Sequence, residues 1–161
     1  LACIAAGLET PKTHYMKISK IRNVKTPVRG TPLSAGLDFF VPNDFPGEHF
    51  LLPGDAINIP SGIKVKVPHG FALVFMNKSG VAVKKGLQVG ACVVDEDYQG
   101  EVHLHIRNTS PEVQSIKPGE KLVQALLIPV DYCDVEVVDV DDLYEEATER
   151  GEGGFGSTGT E

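Results

Sequence analysis

Residues 63–68 read IKVKVP, and the spacing within that stretch decides the fold class. Ile63, Val65 and Val67 alternate with Lys64 and Lys66, so an extended chain carries one apolar and one charged side. A helix would scatter the same residues around its circumference. The pattern continues outward. FALVFM at 71–76, EVHLHIRN at 101–108, KLVQALLIPV at 121–130 and CDVEVVDV at 133–140 are rich in Val, Ile, Leu and Phe. Turn signals bound them: PNDFPGE, LPGD, PSG, PHG, KSG, KKG, YQG and KPGE. Eleven prolines and 17 glycines at such intervals suit an all-β sandwich or barrel and not a helix bundle. Only VAVKKG at 81–86 and DDLYEEATE at 141–149 have room for a turn or two of helix.

The 161 residues predict one domain with a proper core, and 42% hydrophobic with 23% charged residues is ordinary for a soluble globular chain. A formal net charge of -7 without a basic stripe excludes duplex nucleic acid as a partner. No apolar run approaches the length of a membrane-spanning helix, so no membrane partner is expected. LACIAAGL at the start is apolar but lacks a basic leader and is short for a signal peptide. Met16 followed by KISKIRNVK reads as a natural beginning, which makes residues 1–15 an added leader or a disordered extension. The β domain is then expected over 16–140. Cys3, Cys92 and Cys133 are odd in number and match no zinc or redox spacing. They predict free thiols in a reducing compartment, cytoplasmic or nuclear and not secreted. His103 and His105 share a strand face, but without a third ligand they predict no metal site.

Polar residues interrupt the strand-like text in four places: Asp38 in SAGLDFF, the NKSG at 77–80, the acids and Tyr98 in VGACVVDEDYQGE at 89–101, and Gln124 in GEKLVQALL. Singly, each reads as a turn or a solvated strand face. After about residue 140 the chain turns acidic and leads to RGEGGFGSTG at 150–159. Gly151, Gly153 and Gly156 satisfy a G-x-G-x-x-G spacing, and Gly151 to Thr158 resembles a phosphate loop with Ser157 in place of lysine. Both motifs need a helix after the glycines, and with only Thr160 and Glu161 following, neither is expected here. The composition still suits phosphate: glycine N–H groups, hydroxyls and the Arg150 charge.

In this order, AGLDFF, KSG, VGACVVDEDYQGE, GEKLVQALLIPV and RGEGGFGSTG resemble the five motifs of the trimeric deoxyuridine triphosphatases (dUTPases). The similarity runs from about residue 17 to 159. It implies a jelly-roll-like β-barrel or sandwich subunit, a homotrimer with active sites shared between subunits, and a flexible arm, residues 141–161, closing a neighbour's site. It further implies hydrolysis of dUTP to dUMP and pyrophosphate with Mg²⁺ on the triphosphate. Asp95 matches the carboxylate that orients and deprotonates the attacking water. Tyr98 matches the ring that packs on deoxyribose. The backbone of Cys92, Val93 and Val94, with the strand near His103, would read the uracil edge. Lys78, Ser79 and Gly80 match the phosphate-binding turn, and Gln124 a further phosphate contact. Arg150, Gly156 and Ser157 would donate to phosphates from the arm while Phe155 stacks on uracil. Asp38 resembles the acid that supports the Mg²⁺ hydration shell.

Three residues depart from the family pattern: Lys78 where arginine is usual, Cys92 where glycine is usual and Leu37 for a common tyrosine. Two other functions compete. One is dCTP deamination, which shares the fold but needs a glutamate in the base pocket, a position that Glu101 lies beyond. The other is a degenerate dUTPase kept as a protein-binding module.

Overall fold

The computed structural model describes residues 15–154. Eleven strands and one short helix account for its regular structure apart from a single 3₁₀ turn. The residues form two compact units, divided between Asp131 and Tyr132.

In the first unit the chain runs β1 (Lys17–Lys20), β2 (Leu37–Phe40), β3 (His49–Leu51), β4 (Ala56–Pro60), β5 (Ile63–Lys66) and β6 (Phe71–Asn77). Helix α1 (Ser79–Lys85) follows, then β7 (Leu87–Val89), β8 (Val93–Val94), β9 (His103–Asn108), β10 (Gln114–Ile116) and β11 (Lys121–Pro129). Every named pairing is antiparallel. The larger sheets have the orders β2-β11-β6-β8 and β4-β9-β7, and β1-β5 and β10-β3 are two-stranded. The result is an all-β, jelly-roll-like unit.

The opening stretch behaves as its spacing predicts: in β5, Ile63 and Val65 are buried and Lys64 and Lys66 exposed. Strands β6, β9 and β11 fall on the other predicted runs. Their inward side chains, among them Phe39, Leu73, Leu104, Ile106 and Leu122, are almost wholly buried. Phe39 meets Phe75 edge-on at 4.9 Å between ring centres. Each such side chain contributes roughly 1.5–3 kcal/mol, against about 0–1 for an exposed ion pair, so apolar burial and not surface charge sets the stability. Among the described residues, Asn108 is one of three buried polar ones, with Asp38 and Ser61. Its amide donates to Leu51 O at 3.0 Å and Glu112 O at 2.7 Å, and its Oδ1 accepts from the Ser110 N–H at 2.9 Å. With its partners supplied, the buried amide ties β9 to the turn that follows.

Helix α1 occupies the predicted VAVKKG segment and stops at Gly86, whose φ of 62° is the left-handed cap that glycine adopts without strain. The other expectations near the C-terminal end need correction. CDVEVVDV at 133–140 is not a strand, and DDLYEEATE holds only a 3₁₀ turn at Val140–Asp142. Alternation makes one side of an extended chain apolar but does not supply a sheet edge. Val135 and Val137 remain 88% and 92% exposed, with no ladder partner among the described residues. Residues 1–15, read as a leader, lie outside the description except for Tyr15. Among the described residues, Cys92 and Cys133 are free thiols, and no helix is long and apolar enough to cross a membrane.

Candidate active site

Strand β8 places the base-reading candidates. It pairs with β6 through Leu73–Val94 and Val74–Val93, and the Phe75 N–H donates to Cys92 O at 2.7 Å. The chain then turns, with the Tyr98 N–H donating to Asp95 O at 3.3 Å. Glu96 pins this turn to the one before β6: its carboxylate accepts the Gly70 N–H at 2.9 Å and meets His69 Nδ1 at 2.9 Å. Cys92, Val93, Val94, Asp95, Tyr98 and His103 consequently line one cavity of about 230 Å³, with Asn58, Phe75, Ala91 and Val102 completing the wall. Cys92, which stands where the family usually has glycine, is part of the lining and stays half-buried.

Tyr98 is held in place. Its hydroxyl donates to Glu101 O at 2.9 Å, and its ring lies so close to Gly100 that any Cβ there would collide with it. His103 Nδ1 also donates to Glu101 O, at 2.9 Å, which leaves Nε2 as the acceptor of the neutral ring. Gly90 has a matching role: a Cβ there would run into the His105 ring, whose Nδ1 accepts the Ala91 N–H at 3.4 Å. Sequence reading missed Gly90, Gly100 and Asn58, and named His105 only as a strand-face pair with His103. Only the glycines carried a local signal, a residue without a side chain inside strand-like text.

The carboxylates divide by task. Glu101 Oε1 accepts from Arg22 Nε at 3.0 Å and from the Gly62 N–H at 2.8 Å, and Glu101 is not part of the cavity wall. Asp95 is the one carboxylate in the lining, and it is exposed. The cavity thus combines apolar side chains, the polar groups of Asn58, Tyr98 and His103, and one accessible carboxylate.

A second group forms across β2, β11 and β6. Gln124 on β11 is in register with Asp38 on one side and Met76 on the other. Its Nε2 donates to Asn77 O at 2.9 Å, and its Oε1 would lie 2.7 Å from a Cβ on Gly36, so glycine makes the space that the amide fills. Lys78 closes β6, and Ser79 and Gly80 open α1, both exposed. Their N–H groups lack carbonyl partners inside the helix by its geometry. Asp38 is buried at 3% exposure, with Lys78 Nζ 2.7 Å from Oδ1 and Lys121 Nζ 3.2 Å from Oδ2. Burial pushes its carboxyl up, but hydrogen bonds and charge from Lys78 and Lys121 outweigh burial and hold it below the usual carboxylate range. The depressed value means that the pairing stabilises the fold fully at neutral pH. The contribution is lost only as pH falls through the lowered folded value.

The acid that the sequence set beside a Mg²⁺ hydration shell therefore has a lysine on each oxygen. Among the described residues no group of three or more His, Cys, Asp or Glu is placed to hold an ion, His103 and His105 included. The lining of the cavity contains none of Asp38, Lys78, Ser79, Gly80 or Gln124. Arg150 belongs to the second unit, where its Nε donates to Gly153 O at 2.7 Å. Phe155, Gly156 and Ser157 lie outside the described residues.

Comparison with known proteins bears directly on this arrangement. The family model described as dUTPase matches residues 22–159. The deoxyuridine 5'-triphosphate nucleotidohydrolase of Yarrowia lipolytica is 36% identical over 138 residues, 85% of this chain and 83% of that protein. Its Mus musculus counterpart is 37% identical over 146 residues, 90% of this chain and 83% of that protein. The fold matches that of the Staphylococcus bacteriophage 80alpha dUTPase with dUpNHpp, with a TM-score of 0.79 at 23% identity, covering 91% of this chain and 99% of that one. A dUTPase mutant from phage phi11 of S. aureus, described as coordinating a structural Mg(II) ion, gives a TM-score of 0.71 at 19% identity over 83% of this chain and 100% of that one. The extent of the family match and the identity to curated relatives lead to one conclusion: the chain belongs to the dUTPase family.

Proposed function

We propose that this chain hydrolyses dUTP to dUMP and pyrophosphate, by attack of water on the α-phosphorus with Asp95 as general base. The observation that carries the reading is Asp95 itself, the single carboxylate on a cavity of mixed apolar and polar lining in a chain of this family. A carboxylate there accepts a proton from water while the water oxygen bonds to the α-phosphorus. The bond from that phosphorus to the bridging oxygen breaks, and pyrophosphate leaves with the electron pair. Phosphoryl transfer of this kind depends on positioning and charge neutralisation more than on covalent help.

The uracil edge meets the backbone of Cys92, Val93 and Val94, with His103 opposite. Tyr98, fixed by Gly100 and Glu101, packs on the deoxyribose and leaves no room for a 2′-hydroxyl. Lys78, Ser79, Gly80 and Gln124 hold the phosphates. A complete site takes the base-reading and phosphate-holding groups from different copies of a homotrimer, a reading supported by the absence of the phosphate candidates from the cavity lining. The arm of residues 141–161 closes it with Arg150, Phe155, Gly156 and Ser157. Magnesium would be carried by the substrate's triphosphate. Bound there, it would screen the phosphate charge; Asp38, with a lysine on each oxygen, has no free edge to offer its hydration shell. In a cytoplasmic or nuclear setting the reaction keeps uracil out of DNA and supplies dUMP for thymidylate synthesis. The deaminase reading lacks its glutamate, since Glu101 is committed to Arg22 and Gly62.

Pyrophosphate release from dUTP, with dCTP as the control, tests the reading against both alternatives. The expected result is rapid release from dUTP and little from dCTP. Release of ammonia from dCTP would favour the deaminase, and inertness toward both nucleotides would favour the binding module.

A further inference from the structure

We propose that Lys121 is a positioning residue: it keeps the buried Asp38 neutralised while Lys78 moves from Asp38 to the substrate's phosphates. The inference rests on the functional reading above, which places Lys78 on the phosphates. Asp38 has a side chain only 5% exposed, so water cannot take the place of a lost cation. Stranding a buried carboxylate without a partner is strongly unfavourable. With Lys78 as the sole partner, the nucleotide would have to strip that partner away and leave the charge alone in the core.

Geometry removes this obstacle. Lys78 Nζ is on Oδ1 at 2.7 Å and Lys121 Nζ is on Oδ2 at 3.2 Å, so each lysine has its own oxygen. Lys78 comes from the end of β6 and Lys121 from the start of β11, so one can leave without dragging the other. Exposure separates their parts: Lys78 is 28% and Lys121 48% exposed, both able to reach solvent from a carboxylate that cannot. Lysine also makes the exchange necessary. Its ammonium is one compact charge, unlike the arginine fork usual at position 78, which can grip a carboxylate and a phosphate along different edges. Among the described residues, Lys78 and Lys121 are the charged side chains that lower the Asp38 carboxyl.

The test is binding of the non-hydrolysable imido analogue of dUTP, with Mg²⁺, to the full-length chain by calorimetry. Lys121→Gln should weaken binding on the order of ten- to a hundredfold, because Lys78 is then held on Asp38. The melting temperature of the free protein should change little, since Lys78 still pairs Asp38 there. Adding Asp38→Asn, which removes the charge at constant shape, should recover most of the lost affinity. A Lys121→Gln chain that binds like the parent would overturn the proposal. So would a loss that Asp38→Asn does not relieve, which would make Lys121 a direct phosphate ligand. A lowered melting temperature with unchanged binding would make it a purely structural residue and overturn the proposal equally. If the parent chain fails to bind the analogue, the functional reading falls and this proposal with it.

Discussion

Asparagine in place of Asp95 is expected to slow dUTP turnover by about 10²–10⁴-fold while nucleotide affinity stays near that of the parent. The substitution keeps the shape of the side chain and its hydrogen-bonding reach but removes the proton acceptor. Asp95 is exposed on a turn, and that turn is held by other groups: the Tyr98 N–H on its carbonyl and Glu96 on Gly70. Nothing in the core depends on its charge. No second carboxylate lines the cavity to take over the role, since Glu96 and Glu101 have structural partners elsewhere. Single-turnover rates beside calorimetric binding of the imido analogue separate chemistry from affinity. Turnover within a few-fold of the parent would remove Asp95 from the role of base.

Mixing two inactive chains should restore activity. Asp95→Asn chains keep the arm but lack the base, and chains truncated before Arg150 keep the base but lack the arm. In a cyclic trimer with each site taking Asp95 from one copy and the arm from another, random exchange at equal amounts completes about a quarter of the sites. Neither parent preparation contributes such sites alone, so the recovery stands on a very low background. The absence of Lys78 and Gln124 from the cavity lining motivates the experiment. Exchange confirmed by mass labelling with no recovery would mean that each chain builds its own site.

The strands were legible where alternation had a sheet to join. Ile63 and Val65 face inward because β5 pairs with β1 and closes over the core. CDVEVVDV carries the same alternation and forms no strand, since periodicity tells which side a strand would bury and nothing about a partner edge. Asp38, Asp95, Tyr98 and Gln124 stood out because a polar group in an apolar run needs a reason. Lys121 did not, since a lysine at the start of a strand is an ordinary solvated residue. Its significance appears only when the register of β2 against β11 brings it to Asp38. Gly100 and Gly90 likewise gain meaning from what approaches them, the Tyr98 ring and the His105 ring. Contacts between distant segments are set by topology, which no local pattern encodes.

In the proposed reaction, water attacks the α-phosphorus of dUTP under the control of Asp95. Turnover of dUTP in heavy-oxygen water, read by mass spectrometry of both products under single-turnover conditions, tests it most directly. Attack at the α-phosphorus puts the label into dUMP and leaves pyrophosphate unlabelled. Label in pyrophosphate, or release of single phosphate groups in place of pyrophosphate, would contradict the account.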